Sequence, residues 1–465
     1  MQFFCVIFFL QTDISKRLHI KKGCCKLIES FKIKYQPSKI THMTECLLQY
    51  LWQFQFYNKN ELITADGENL SIIYPGNINS NQGPDFLDAK IKVGNTTWAG
   101  NIELHILSSD WNNHKHSDDK NYRNVILHVV WNDDASLHLP FPVLELQSRV
   151  SKILLTKYDE LMNAKSFIAC ETTIQTVAPI IWVAWKERLL VERMQHKATV
   201  ILKYLTENNN HWEETFWWLI ARNFGITVNN DAFEQIARSL PLNILAKHKN
   251  QIHQTEALLF GQAGLLKNDF TEDYPKLLQK EYQFFSKKYR LEPIHVPLHF
   301  LRMRPSNFPT VRLAQLAMLV HNSIHLFSIV KETAHLVDVK KLLSVTANDY
   351  WHYHYSFDEP TAFREKNLGS QMINSIIINT IAPILFAYGF HHNENIYKER
   401  ALQWLEQSTS EKNNITKGFT QLGIEIKNAF DTQALIRLKN EYCDQKRCLE
   451  CAVGNKLLKP NSTVT

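Results

Sequence analysis

Two carboxylates and a histidine stand at a spacing that can serve a metal ion. Asp85 lies in the run Gly83-Pro84-Asp85-Phe86, and the triplet Glu103-Leu104-His105 follows on a strand-like segment. Strand alternation puts Glu103 and His105 on one face and Ile102, Leu104 and Ile106 on the other. Carboxylates arriving from adjacent strands can hold Mg²⁺ or Mn²⁺, hard cations that take oxygen ligands and keep several waters. Such an ion polarises a phosphoryl oxygen and activates water, which is the chemistry of phosphodiester hydrolysis. The competing reading makes Asp85 a turn cap and Glu103 a solvated strand residue.

Downstream come Asp110-Trp111, then His114, His116, Asp118 and Tyr122. If that segment is helical, His114 and Asp118 meet on one face. His105, His114 and His116 could instead bind zinc or another transition metal, although their spacing matches no standard site. His128, inside the apolar run Val125 to Trp131, reads as a core histidine. A second cluster, Cys443-x4-Cys448-x2-Cys451, can share one soft metal as a structural zinc or iron–sulfur site, with Cys170 as the fourth ligand. Reduced, unligated thiols and a redox Cys-x-x-Cys are the alternatives. Arg302, Arg304 and Arg312 surround the rigid loop Pro305 to Pro309, and could contact phosphates or brace the loop. Tyr350 to Tyr355 offers aromatic faces either for stacking bases or for filling a core.

The rest of the composition limits what these residues can belong to. The chain has 465 residues, 45% hydrophobic and 21% charged, the balance of a globular protein, and the length suits two to four domains. With only 14 Gly and 15 Pro, turn-rich sandwiches lose ground to helical architectures. The net charge of +6 resides entirely in residues 1–42, which hold eight Lys/Arg and two Asp/Glu, so the body is neutral. A nucleic-acid partner would therefore need a local basic surface. The leader opens on an apolar run with no basic residues before it, a poor signal peptide. Thr44 is a plausible helix cap just beyond it, which favours Met43 as the true start. The apolar stretch at 376–390 is shorter than a spanning helix and contains Pro383, so a buried, broken helix and a cytoplasmic protein with no membrane partner are expected.

Positioning the first cluster requires strands. Leu70 to Tyr74, Phe86 to Val93 and Thr96 to Leu107 read as β, with Gly94-Asn95 as a hairpin turn. Val125 to Trp131 reads as a buried central strand, and Leu139 to Leu146, with its two prolines, as an edge. Ser109 to Asn124, polar and aromatic, reads as a helix or an ordered loop, and the whole reads as α, β, β, β, helix, β. From about residue 179 the period becomes helical, with helices expected near 212–224, 231–239, 251–264, 311–329 and 370–389. The division expected is a leader (1–42), an α/β domain (43–170), helical domains (171–440) and a cysteine-containing C-terminal segment (441–465).

This order resembles the PD-(D/E)XK nuclease superfamily, whose αβββαβ, restriction-endonuclease-like core carries an Asp at one strand and a Glu-x-Lys on the next. The resemblance implies an α+β fold with Asp85 and Glu103 as metal ligands and the Leu104 carbonyl as a third. It puts His105 where the lysine usually stands, and gives His114 and His116 substrate contacts on the following helix. An imidazole can act as a general base near neutral pH but lacks lysine's fixed charge, which leaves open a modified mechanism or an inactive descendant. The phrases NQGPDFLDAKI, WAGNIELHILSSDW, NVILHVVW, ALLFGQAGLL and RPSNFPTVRLAQLA also resemble an uncharacterised bacterial family, domain of unknown function 2851, over nearly all of the chain from Met43 to about Gly454. Together these imply either a metal-dependent nuclease acting on DNA or RNA or a non-catalytic, nuclease-like binding protein.

Overall fold

The structure, a computed structural model, describes residues 43–301 and 303–459. The leader at 1–42 with its expected Met43 start, Arg302, and the last six positions fall outside the described residues. The chain divides into two compact units. One is built from the residues up to Trp185 together with those from Leu438 onward, the other from Lys186–Arg437.

The first unit begins with helix α1 (Glu45–Gln53), whose N-cap Thr44 accepts a hydrogen bond from the Leu47 N–H. Five strands form a continuous sheet in the order β1 (Leu70–Tyr74), β3 (Phe86–Val93), β4 (Thr96–Leu107), β5 (Val125–Asn132), β6 (Val143–Glu145), and the two-residue β2 (Asn77–Ile78) also pairs with β3. β1, β3 and β4 are antiparallel neighbours, while β4, β5 and β6 run parallel. The β3–β4 connection is the expected two-residue turn, with Gly94 at φ +55°. A parallel β4–β5 pair needs a crossover. Residues 108–124 supply it with a single helical turn, α2 (Asp110–Asn113), and two 3-10 turns. Leu139 to Leu146 contracts to three paired residues, since Pro140 and Pro142 cannot donate to a ladder.

Both faces of the sheet are covered. Leu47, Leu51 and Trp52 of α1 and Leu154, Leu155 and Leu161 of α3 (Lys152–Asn163) pack on Phe86, Ile102, Leu104, Leu127 and Val129. The opposite face lies under Trp111 and Phe141. A mainly apolar β5, with His128 as its one interior polar residue, is thus what a strand buried on both sides requires. Gly100 permits its close pairing with β4, because a Cβ there would lie 2.5 Å from both the Asn124 carbonyl oxygen and Ile126 Cγ2. Gly100→Ala is expected to destabilise this unit by about 1–3 kcal/mol or more, since a backbone carbonyl cannot move aside cheaply. Urea unfolding checks this, and an unchanged midpoint would refute it.

The second unit is helical. The expected helices at 212–224 and 251–264 appear as Trp212–Phe224 and Ile252–Gln262. The expected 311–329 helix divides into Pro309–Asn322 and Leu326–Glu332, bent by 68°. Pro383 does not break its helix. A π-helical stretch at Ile377–Ile381 precedes it, and the lengthened turn absorbs the N–H that proline lacks. Ser370–His391 is therefore one 22-residue helix, long and apolar enough to cross a membrane, with 72% of its most apolar window buried inside the protein.

Candidate metal centre

Asp85, Glu103 and His105 are brought together through Glu103, which meets both of the others. Asp85 sits just before β3, held by Asn79, whose N–H donates to the Asp85 carbonyl (2.7 Å) and whose side-chain amide donates to that of Pro84 (2.8 Å). The Asp85 N–H donates to Glu103 Oε2 at 2.9 Å. Its carboxylate accepts the Leu104 N–H at 3.2 Å and the Gln49 side-chain amide at 2.9 Å. Asp85 thus fixes Glu103 from behind. Leu104 contributes an N–H to this arrangement and its side chain to the core on the opposite face.

The other Glu103 oxygen faces imidazoles. Glu103 Oε1 is 3.7 Å from His105 Nε2 and 3.6 Å from His116 Nε2. His105 Nε2 is 3.2 Å from His116 Nε2 and 3.1 Å from His114 Nδ1. The ligand atoms of the three histidines all lie within 4.8 Å of one another. Tetrahedral donors at zinc-like bond lengths stand about 3.3 Å apart, so these separations suit a single ion at their centre. The set is three imidazole nitrogens, with one Glu103 oxygen beside two of them, and nitrogen donors favour zinc, manganese or another transition metal over Mg²⁺, an oxygen-seeking ion.

The crossover creates this convergence. α2 stops after one turn because Lys115 turns left-handed at φ +56°, and the chain resumes as the 3-10 turn His116–Asp118. His114 and Asp118 therefore do not share a helical face, and the kink directs His114 and His116 toward His105 instead. Trp111 closes the site edge-on over His105 and His116, and Tyr122 stacks on His116 with ring centroids 3.9 Å apart. Burial, together with the nearby Glu103, Asp85 and Asp119 carboxylates, pushes the Tyr122 phenol well above its ordinary pKa.

His105 is 1% exposed. Burial and its imidazole neighbours His128, His116 and His114 push its pKa down to about 2. A neutral imidazole suits a metal ligand, and so low a value makes it a weak base. His128 is buried as expected for a core histidine, but its Nε2 lies 2.9 Å from His105 Nδ1. That contact orients the His105 ring from behind, as partners of metal-bound histidines usually do. Gln49 was missed by the sequence reading. Its signal was a lone amide within the apolar run Leu47 to Trp52.

Of the arginines expected to meet phosphate, Arg304 and Arg312 lie in the second unit. Arg304 is exposed, whereas Arg312 is buried and donates to Asn307 Oδ1 (2.6 Å) and Gln315 Oε1 (2.9 Å). This is the loop-bracing alternative, and a phosphate contact would require that interior to open. Trp351 is likewise interior, stacked on Phe260, while Tyr353 remains half exposed.

The structure thus defines a mixed α/β protein with a buried cluster of histidines and acids on its sheet and a separate helical unit. The chain belongs to the family described as "Protein of unknown function (DUF2851)", which matches residues 45–414. Comparisons with curated proteins and with solved structures give no match.

Proposed function

We propose that the first unit is a metal-dependent phosphodiesterase acting on nucleic acid, a nuclease-like domain working in the cytoplasm. The observation that carries this reading is the meeting of the His105, His114 and His116 ring nitrogens, with Glu103 Oε1 beside two of them. Of the ions expected from the sequence, Mn²⁺ accepts this donor set and Mg²⁺ does not. Bound there, Mn²⁺ would polarise a phosphoryl oxygen and lower the pKa of water. Three imidazoles, joined or not by Glu103, leave at least two positions of a six-coordinate ion for water and substrate. Asp85 holds Glu103 in place, and His128 and Trp111 fix the rings. Lys115, Lys120 and Arg123 are exposed on the same crossover but are partly offset by Asp118 and Asp119. The ion must therefore supply much of the charge that draws in phosphate.

The donor count also supports a second reading. If Glu103 joined the three imidazoles, a tetrahedral zinc would be saturated, as in structural sites, leaving a binding protein without catalysis. Cleavage of single- and double-stranded DNA and RNA by the full chain with Mn²⁺, beside Glu103→Gln, separates the two. The nuclease reading expects Mn²⁺-dependent cleavage that falls at least about 100-fold in the variant. Tight metal binding with no cleavage of any substrate would overturn it in favour of the saturated site.

A further inference from the structure

A second group of metal-type ligands lies away from the histidines, in the same unit. Cys170 is in the turns that follow α3. Cys443 ends the π-helical turn Lys439–Cys443, Cys448 lies in the following turn, and Cys451 caps the helix Ala452–Leu458. Cys448 is buried in the core beneath α1 and α3, and Cys170 packs against the same core. Lys446, at φ +52°, reverses the chain between the first two C-terminal cysteines. Its ammonium donates to the carbonyls of Ala164 and Leu161, which ties the segment to the end of α3, just before Cys170.

The four cysteines are neighbours, although no three of their sulfurs lie within 4.8 Å of one another. Each of the six pairs among Cys170, Cys443, Cys448 and Cys451 is close enough to couple electrostatically. Burial and these neighbours push the Cys170 thiol up to about 12, and raise Cys443 as well. The surroundings are nevertheless prepared for thiolates. The backbone N–H groups of Val453 and Gly454, in the first turn of the helix that follows Cys451, favour its thiolate. Gly454 allows this turn, because a Cβ there would fall 2.2 Å from the Cys448 carbonyl oxygen. Lys439 and Lys446 place positive charge beside Cys443 and Cys448. The fifth described cysteine, Cys46, packs on the same core but is not among the coupled partners.

We propose that Cys170, Cys443, Cys448 and Cys451 together bind one thiophilic metal centre, a zinc ion or an iron–sulfur cluster, which fastens the C-terminal segment to the end of α3. Each thiol releases its proton as its sulfur ligates the metal, so binding and the folding of this segment are linked. Cys443-x4-Cys448-x2-Cys451 supplies three ligands from one turn-rich stretch, and Cys170 completes the tetrahedral set that soft metals prefer.

The test uses the full chain carrying His105→Gln, so that metal at the histidine site does not confuse the count. The chain is purified under reducing conditions, its metal content is measured, and X-ray absorption at the metal edge reports the ligand atoms. The expected result is one centre per chain with an all-sulfur shell. A colourless protein with one zinc indicates the ion, whereas visible absorption with iron and acid-labile sulfide indicates the cluster. Cys443→Ser and Cys170→Ser should each weaken binding more than about 100-fold, and Cys46→Ser should leave it unchanged. If the cysteine variants fail to fold, Co²⁺ titration of the metal-free chain gives an independent reading through sulfur-to-metal charge-transfer absorption. A chain that acquires no sulfur-ligated metal after anaerobic supply of Zn²⁺, Co²⁺ and iron with sulfide overturns the proposal. So does a centre retained in both cysteine variants.

Discussion

His105→Gln is expected to lower Mn²⁺ or Zn²⁺ affinity at the histidine site by more than about 100-fold and to remove any metal-dependent cleavage with it. His105 stands at the middle of the cluster, with its Nε2 within 3.7 Å of the other three donor atoms. Truncating a ligand's supporting partner typically costs 10–100-fold, and removing the ligand costs more. His128→Phe tests that lesser, orienting role and should fall within the 10–100-fold range. His114 is exposed, so water can replace it and His114→Ala should cost less than His105→Gln. Calorimetric titration of the metal-free protein measures all three. At an ion concentration of 100 Kd the wild type gains about 2.7 kcal/mol of stability, which the His105 variant should forfeit. Equal affinities across the series would remove the metal assignment.

Glu256→Gln should abolish a pH dependence of stability in the helical unit. Glu256 is 0% exposed and accepts hydrogen bonds from the Tyr274 hydroxyl (2.7 Å) and the Trp351 indole N–H (3.1 Å). Burial outweighs those two donors and raises its pKa to about 7. Since the folded value lies above the unfolded one, the native state holds the proton longer. The group's contribution is complete below about pH 4.5 and is lost as pH climbs through 7. Two and a half units correspond to about 3 kcal/mol. Hydrogen exchange in Ile252–Gln262 should show opening becoming easier by about that amount between pH 5 and 8 in the wild type, and a flat profile in Glu256→Gln. Parallel profiles would mean that Tyr274 and Trp351 keep the carboxylate ionised throughout.

The strands were legible because their signals are local. The Gly94-Asn95 turn set the β3–β4 register, and the apolar run at 125–131 announced a strand buried on both faces. Asp85, Glu103 and His105 could be singled out for the same reason: alternation along one strand decides which side chains share a face. The crossover was not legible. A single left-handed residue, Lys115, turns a presumed helix into a hook that folds His116 under Tyr122, and lysine carries no preference for that conformation. The inward turn of Arg312 was equally hidden, since it depends on Asn307 and Gln315 being placed by tertiary packing. Pro383 misled because a π-helical turn, invisible in periodicity, accommodates it.

The first unit draws on both ends of the chain, with Leu449 and Leu458 sharing a core with Tyr158 and Leu161. A ribosome delivers these pieces far apart in time. At roughly 5–20 residues per second, the stretch from Lys186 to Arg437 takes about 10–50 s to synthesise. Throughout that interval the nascent α/β layer lacks the residues that seal one edge of its core, and the helical unit can fold ahead of the domain that began first. Translation speed and chaperone occupancy during that delay, rather than equilibrium stability alone, would then govern how much of the protein reaches its native state.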